Sequence, residues 1–243
     1  MSTTVIHVRT SDLLRLLRTS QVVLKSPYLP PRLAAVALTM DPEEPLELTA
    51  MSTDRYSLVY VGISAVSMYM EDLGTKGDGK AVFILQENKI SELIEYLRKV
   101  SKEGVQGVNV CILNEMLFIS QGTLSLDDPG FYAVEDATAH DPYEGFQMAP
   151  CITLLSREHH LGHTPENVCM QALTDTTLPI LVKAMRAAKA ESVDFYVHEV
   201  RAGMGPTTWA RFRNIKDGMD GGVLLQAARP TRKATSETPL HLS

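Results

Sequence analysis

Cysteine, tryptophan and long apolar runs are what this sequence has least of. Cys111, Cys151 and Cys169 are its three thiols, widely spaced and odd in number, and no CxxC occurs. That pattern excludes a disulfide framework and a zinc ribbon. No stretch approaches the roughly 20 apolar residues that span a bilayer. The opening MSTTVIHVRT lacks the basic start and apolar core of a signal peptide, so a cytoplasmic location without a membrane partner is expected. GxGxxG, P-loop, GxSxG and HExxH signatures are missing. Nothing positive marks an enzyme, and no cofactor is implied. Asp127-Asp128 and Glu135-Asp136 stand among turn formers and read as loop acids rather than a catalytic pair. An excess of positive charge is lacking too, with 23 Lys+Arg against 29 Asp+Glu and a net charge of −6. A surface that binds nucleic acid everywhere is thereby disfavoured, while a local basic face stays open.

What is present fits a soluble globular protein of one large or two ordinary domains: 243 residues, 44% hydrophobic and 21% charged. VIHVRT (5–10) alternates like a strand, and SDLLRLLRTS follows as a helix with Ser11 as N-cap. Its leucines at 13, 14, 16 and 17 make one side, with Arg15 and Arg18 on the other. After the Pro-rich SPYLPPR, the stretches LAAVALTM, LELTAMS and SLVYVGIS read as three strands. A Gly/Lys/Asp loop (73–80) precedes strand AVFIL. ENKISELIEYLRKVSK is then the clearest helix, with Ile90, Leu93, Ile94, Leu97 and Val100 at helical spacing. VNVCIL and MLFIS form a hairpin. Leu126 to Gly145 is acidic, rich in turn formers and without sustained period, the expected boundary between a unit at 1–125 and a second at 126–230. Residues 231–243 read as a disordered tail.

The two halves repeat. VFILQENKISELIEYLRKV lies over MQALTDTTLPILVKAMRAA without gaps, from Val82 and Met170. Leu93 then falls on Leu181, Leu97 on Met185 and Arg98 on Arg186. Strand VDFYVH follows the second helix as VNVCIL follows the first, and TTWARF follows in turn. An α+β fold is expected, with helices on one face of mainly antiparallel sheet.

The helices' outer faces carry the candidate chemistry. In TLPILVKAMRAAKAE, Leu181, Ala184, Met185 and Ala188 pack inward, leaving Lys183 and Arg186 outward and Lys189 at the flank. Arg15 and Arg18 are read as outward on the first helix, with Lys25 beyond. Lys99 and Lys102 share the middle helix's face with Glu92 and Glu95. Each face alone could be an ordinary solvated one. Several on one side of a sheet make a positive side suited to phosphates without base readout. SREHHLGH offers Glu158, His159, His160 and His163, but no matching cysteine pair accompanies them, and a polar loop is the plainer reading. Met68, Met70, Met116 and Met148 read as core filling, and Trp209 as a half-covered sheet residue.

LELTAMSTDRYSLVYV resembles the middle domain of the bacterial replicative sliding clamp, the beta subunit of DNA polymerase III. There a strand runs into a Thr-Asp-x-(aromatic or His)-x-Leu segment and a second strand. AVFILQENKISELIEYLRK resembles the same domain's next strand-helix unit. VLLQAAR (223–229) resembles the family's C-terminal strand, with Leu224, Leu225 and Arg229 matching and Gln226-Ala227 replacing Met-Pro. The likeness covers most of residues 3–125 and 168–230.

The resemblance implies a DNA-clamp fold, with sheets outside and helices lining a central hole, acting as a processivity factor that encircles duplex DNA. Arg15, Arg18, Lys25, Lys99, Lys102, Lys183, Arg186 and Lys189 would contact phosphates without sequence preference. Thr53, Arg55, Tyr56 and Leu58, facing Leu224, Gln226, Ala227, Ala228 and Arg229, would form a groove for short peptides of a polymerase, a clamp loader or other replication proteins. The family's bacterial chains have three domains and pair into rings of six. This chain has the length of two, so three copies would close the same ring, as in a bacteriophage version. The first unit has residues 1–79 ahead of its second strand-helix element, the second only residues 126–167. Two further readings remain: a clamp-fold protein that stays open or monomeric, and a metal-dependent enzyme built on His159, His160 and His163.

Overall fold

The computed structural model describes residues 2–27, 29, 31–41, 47–54, 57–72, 81–113, 116–122, 130–134, 177–198, 207–214 and 218–226. Strand β1 (Ser2–Arg9) runs directly into helix α1 (Thr10–Ser20). Short 3₁₀ turns follow at Val23–Lys25 and Pro31–Leu33. Then come β2 (Ala35–Met40), β3 (Leu48–Thr53), β4 (Ser57–Ile63), β5 (Ser67–Asp72) and β6 (Ala81–Gln86). Helix α2 (Glu87–Lys102) leads into β7 (Gly107–Leu113), β8 (Met116–Ser120) and β9 (Phe131–Val134). Helix α3 (Leu178–Ala188) leads into β10 (Ser192–His198), β11 (Thr207–Asn214) and β12 (Met219–Gln226).

Two antiparallel sheets result, one ordered β5-β1-β7-β8-β9 and the other β10-β11-β12-β4-β3-β2-β6. The repeat therefore extends beyond its legible part. Helix α2 and the meander β7-β8-β9 correspond to α3 and the meander β10-β11-β12. Both helices end in the same way. After α2, Val105 N–H bonds Val100 O with Gly104 left-handed (φ 86). After α3, Ala190 N–H bonds Met185 O with Lys189 left-handed (φ 53).

Period-two alternation explains the sheets. Ile6, Val8, Val108, Val110, Ile112, Leu117 and Ile119 face the main core. On the opposite face of the same sheet Val5, Cys111, Leu113 and Phe118 form a small cluster against which Met116 packs. In the seven-stranded sheet Leu38, Ala50 and Val61 stand side by side across β2, β3 and β4, beneath the apolar sides of the helices. Helix α1 touches α2 on one flank and α3 on the other, and lies over β3 and β4.

Several expectations are corrected. Helix α1 begins at Thr10, without side-chain capping by Ser11. Its start is tied instead to the α2–β7 connection, with Thr10 N–H donating to Gln106 O at 2.9 Å and Thr10 Oγ1 to Val105 O at 3.0 Å. Strand β9, inside the stretch read as a connector, pairs with β8, so the first unit runs past residue 125 to at least Val134. Its alternation is only four residues long, too short to stand out among turn formers. Tertiary contacts hold it: Phe131 packs near the Tyr96 ring (centroids 5.9 Å apart), and left-handed Gly130 sits where a Cβ would come within 2.6 Å of the Tyr96 hydroxyl. Met68 lies on edge strand β5 and is 42% exposed, not core. The side chains of Met70 and Trp209, and all of Met148, lie outside the described residues.

One ladder joins the halves: β12 pairs with β4 from Met219↔Ile63 to Leu225↔Ser57. Gly221 sits opposite Val61, where a Cβ would meet Tyr60 O at 2.5 Å and Val61 Cα at 2.8 Å. Both are backbone atoms, so the strand must move to admit a methyl. Gly221→Ala is expected to cost about 1–3 kcal/mol by overpacking, read as a lower denaturant midpoint in equilibrium unfolding.

Candidate nucleic-acid interface and peptide groove

The three helices form one layer, with α1 in the middle. Its position decides the fate of its arginines. Arg15 is buried and bonded to Asp12, Nη2 to Oδ1 at 3.4 Å, with both side chains 9% exposed. The expected outward placement of Arg15 is thus corrected: flanked by helices on both sides and a sheet below, α1 has only a narrow exposed strip. Arg18, one turn on, is half-buried. Its Nε is buried with no hydrogen-bond partner among the described residues. Burial, and secondarily the charge of Arg98 on α2, lower the Arg18 pKa. Lys25 is exposed on the 3₁₀ turn beyond the helix.

Helix α2 exposes Arg98, Lys99 and Lys102. They line an open groove with Ser91, Glu95, Tyr96 and Glu103. Lys89 is neutralised by Glu92 at 2.7 Å, but no ion pair engages Arg98, Lys99 or Lys102 among the described residues. On α3, Lys183 and Arg186 are exposed, as is Lys189 at the cap. Arg98 was missing from the candidate contacts. The repeat held the signal, since it places Arg98 over Arg186.

The Thr53-Asp54 stretch closes the β3–β4 hairpin. Ser57 N–H donates to Asp54 Oδ1 at 2.7 Å, Asp54 N–H to Ser57 O at 3.1 Å and Thr53 Oγ1 to Ser57 O at 2.9 Å. Asp54 is 1% exposed, so its carboxylate caps the turn from inside, which is why a short acceptor stands there. Leu58 is buried and pairs with Leu224. The hairpin and the C-terminal strand, far apart in sequence, are hence neighbours. Arg55, Tyr56, Ala227, Ala228 and Arg229 lie outside the described residues, as do the side chains of Leu224 and Gln226 and the segment with Glu158, His159, His160 and His163. Among the described residues no cluster of three or more His, Cys, Asp or Glu could hold a metal ion, and no helix is long and apolar enough to cross a membrane.

No protein-family model matches the sequence, and no curated protein matches it. Solved structures do. A putative DNA polymerase III beta subunit from Eubacterium rectale superposes with a TM-score of 0.52 at 10% identity, over 93% of this chain and 65% of that one. The H. pylori beta clamp, solved with diflunisal, gives 0.52 at 11% identity over 94% and 67%. A. fulgidus PCNA, solved with the C-terminal region of FEN-1 bound, gives 0.51 at 9% identity over 93% and 98%. The chain spans about two thirds of the bacterial subunits' length and nearly all of the PCNA chain. It has the α+β fold of the DNA sliding clamps.

Proposed function

We propose that this protein is a sliding clamp: a non-enzymatic processivity factor that encircles duplex DNA and tethers polymerase, loader or repair proteins by short peptides. The observation that carries this reading is the charge of the helix layer. In a protein of net charge −6, Arg98, Lys99, Lys102, Lys183 and Arg186 lie exposed on helices packed on the sheets. Attraction to phosphates without base contacts is what sliding requires. Lys25 and Lys189 extend the same layer, whereas Arg15, buried on Asp12, contributes to folding.

Ring closure would take three copies of this two-unit chain. Its length supports that number, matching a whole PCNA chain. So does strand β9, which among the described residues pairs only with β8 and leaves its other edge open, with Tyr132 and Val134 about 60% exposed. Head-to-tail contacts that close by rotation give such rings. A clamp-fold protein that stays open is the second reading. It is favoured by the short stretch 135–176 between β9 and α3, against residues 2–86 ahead of α2. Light scattering is expected to give about three times the 26.8 kDa chain mass, unchanged on dilution; a mass near one chain puts the open form first.

The groove reading rests on the Thr53-Asp54 turn standing beside β12. Tyr56, between Asp54 and Ser57 in sequence, and residues 226–229, which begin at the last residue of that strand and run on from it in sequence, would supply an apolar anchor with a few placed polar groups. Tyr56→Ala is expected to weaken binding of a client peptide by about tenfold or more, the usual cost of removing an aromatic anchor; unchanged affinity would remove the groove. Reversing Lys183 and Arg186 to Glu should leave peptide binding intact. It should weaken retention on nicked circular DNA, with the salt slope falling by about 0.9 for each phosphate no longer neutralised. A variant with unaltered retention and slope would take α3 off the DNA face.

A further inference from the structure

Two end strands stand at opposite ends of the helix layer. Strand β9 ends the five-stranded sheet under α2, and β10 ends the seven-stranded sheet beyond β11 and β12, on which α3 packs. The repeat shows what β10 lacks. Val110 on β7 and Phe195 on β10 follow the helix caps Val105 and Ala190 at the same distance in sequence. Each is paired on one side with a core residue of the next meander strand, Val110 with Ile119 and Phe195 with Ala210. On its other side Val110 has Ile6 of β1 and is 1% exposed. Phe195 has no strand there among the described residues and is 49% exposed. A core-facing aromatic half in water on an end strand marks a place for one more strand.

Strand β9 is the matching piece. Its Phe131 and Ala133 are buried toward the core beneath α2, and its Tyr132 and Val134 are exposed on the other face. Laid antiparallel against β10 of a second copy, β9 would continue the sheet and bring the second copy's α2 up beside α3, over Phe195. Period-two alternation allows only registers that set Phe131 or Ala133 opposite Phe195. Ala133 is the better fit, small against large, and that register sets Val134 opposite Asp194. The remaining end strands are poorer partners. Strand β6 touches β7 where the two sheets meet, and β5 closes on Glu71-Asp72, charges of the kind that keep an edge unpaired.

We propose that β10 is the docking edge for β9 of a second copy of this chain, with Ala133 of one copy set against Phe195 of the other. The inference rests on the ring-closure reading for the number of copies, while the contact itself does not depend on DNA. It uses a different surface on each partner. Any open row of copies therefore keeps one free β9 and one free β10, which meet when the rotation between copies closes the ring.

The test uses the full-length protein with Val134→Cys, Asp194→Cys and Phe195→Asp as separate variants. All three positions are exposed, so the replacements are not expected to disturb packing. Under mild oxidation a mixture of the two cysteine variants is expected to give a covalent dimer above the wild-type level, because directly opposed strand positions lie within disulfide reach. Neither variant alone is expected to do so. Phe195→Asp is expected to melt as wild type does and to weaken self-association about tenfold or more, read by light scattering on dilution. Cross-linking within a single cysteine variant means that like edges meet, and overturns the contact. A mixture that gives no covalent dimer also overturns it; if wild type is then still oligomeric and held on nicked circular DNA, the clamp reading stands without this contact. A covalent dimer in the mixture, with wild type not retained on circular DNA, keeps the contact and removes the clamp reading. A monomeric wild type in which Phe195→Asp weakens a client peptide instead overturns the second copy and makes β10 an edge for an extended peptide.

Discussion

The β4–β12 ladder is the contact on which the rest of the structure depends. Seven backbone pairs, Met219↔Ile63 to Leu225↔Ser57, fuse the second meander to the first unit's four strands. Without that ladder the two halves would be separate half-domains, and α3 would have no sheet to pack on beside α1. With it, the helices share one layer and the C-terminal strand lies beside the Thr53-Asp54 hairpin. Both candidate sites are consequences of one edge-to-edge pairing. The pairing needs a residue without a side chain at Gly221, where the neighbouring backbone is too close for a Cβ.

The helix layer separates charge by role. Arg15 is withdrawn from solvent and bonded to Asp12, a buried pair that fixes α1 locally and is unavailable to an outside anion. Arg18, Arg98, Lys99, Lys102, Lys183 and Arg186 are left without such partners among the described residues. Concentrating unpaired cations costs folding energy, and the continuous apolar core beneath, running from Ile6 to Val223, offsets it. The acids of this acidic chain stand mostly elsewhere, or in pairs such as Arg211–Asp220 at 2.5 Å on the sheet. The three helices carry eight Lys and Arg against four Asp and Glu, an excess opposite in sign to the molecule's net charge of −6.

Much of the fold was legible because its signals are local. Helix α2 follows from five apolar residues at i, i+3, i+4 and i+7, and its bounds agree with the sequence reading. The β7–β8 hairpin follows from two alternating runs about a polar turn. Strand β9 was not legible: four residues of alternation cannot be told from a loop, and what makes them a strand is pairing with β8 and the contact of Phe131 with Tyr96. Met68 looked like core because methionine is apolar, but core membership is a property of the strand's position, and β5 is an edge. The Thr-Asp turn was legible as a turn. That its carboxylate faces inward onto Ser57 N–H was not.

The sequence by itself determined the elements, the repeat of helix and meander, and which side of each helix is apolar, because these are set by periods of two and 3.6 residues along the chain. Only the tertiary structure decided which polar positions meet solvent. Arg15 and Arg18 are indistinguishable by spacing, yet one is in a buried ion pair and the other is half-buried, its Nε without a hydrogen-bond partner among the described residues. The difference lies in what flanks α1, two helices that enter the chain far downstream, and no local period carries that information.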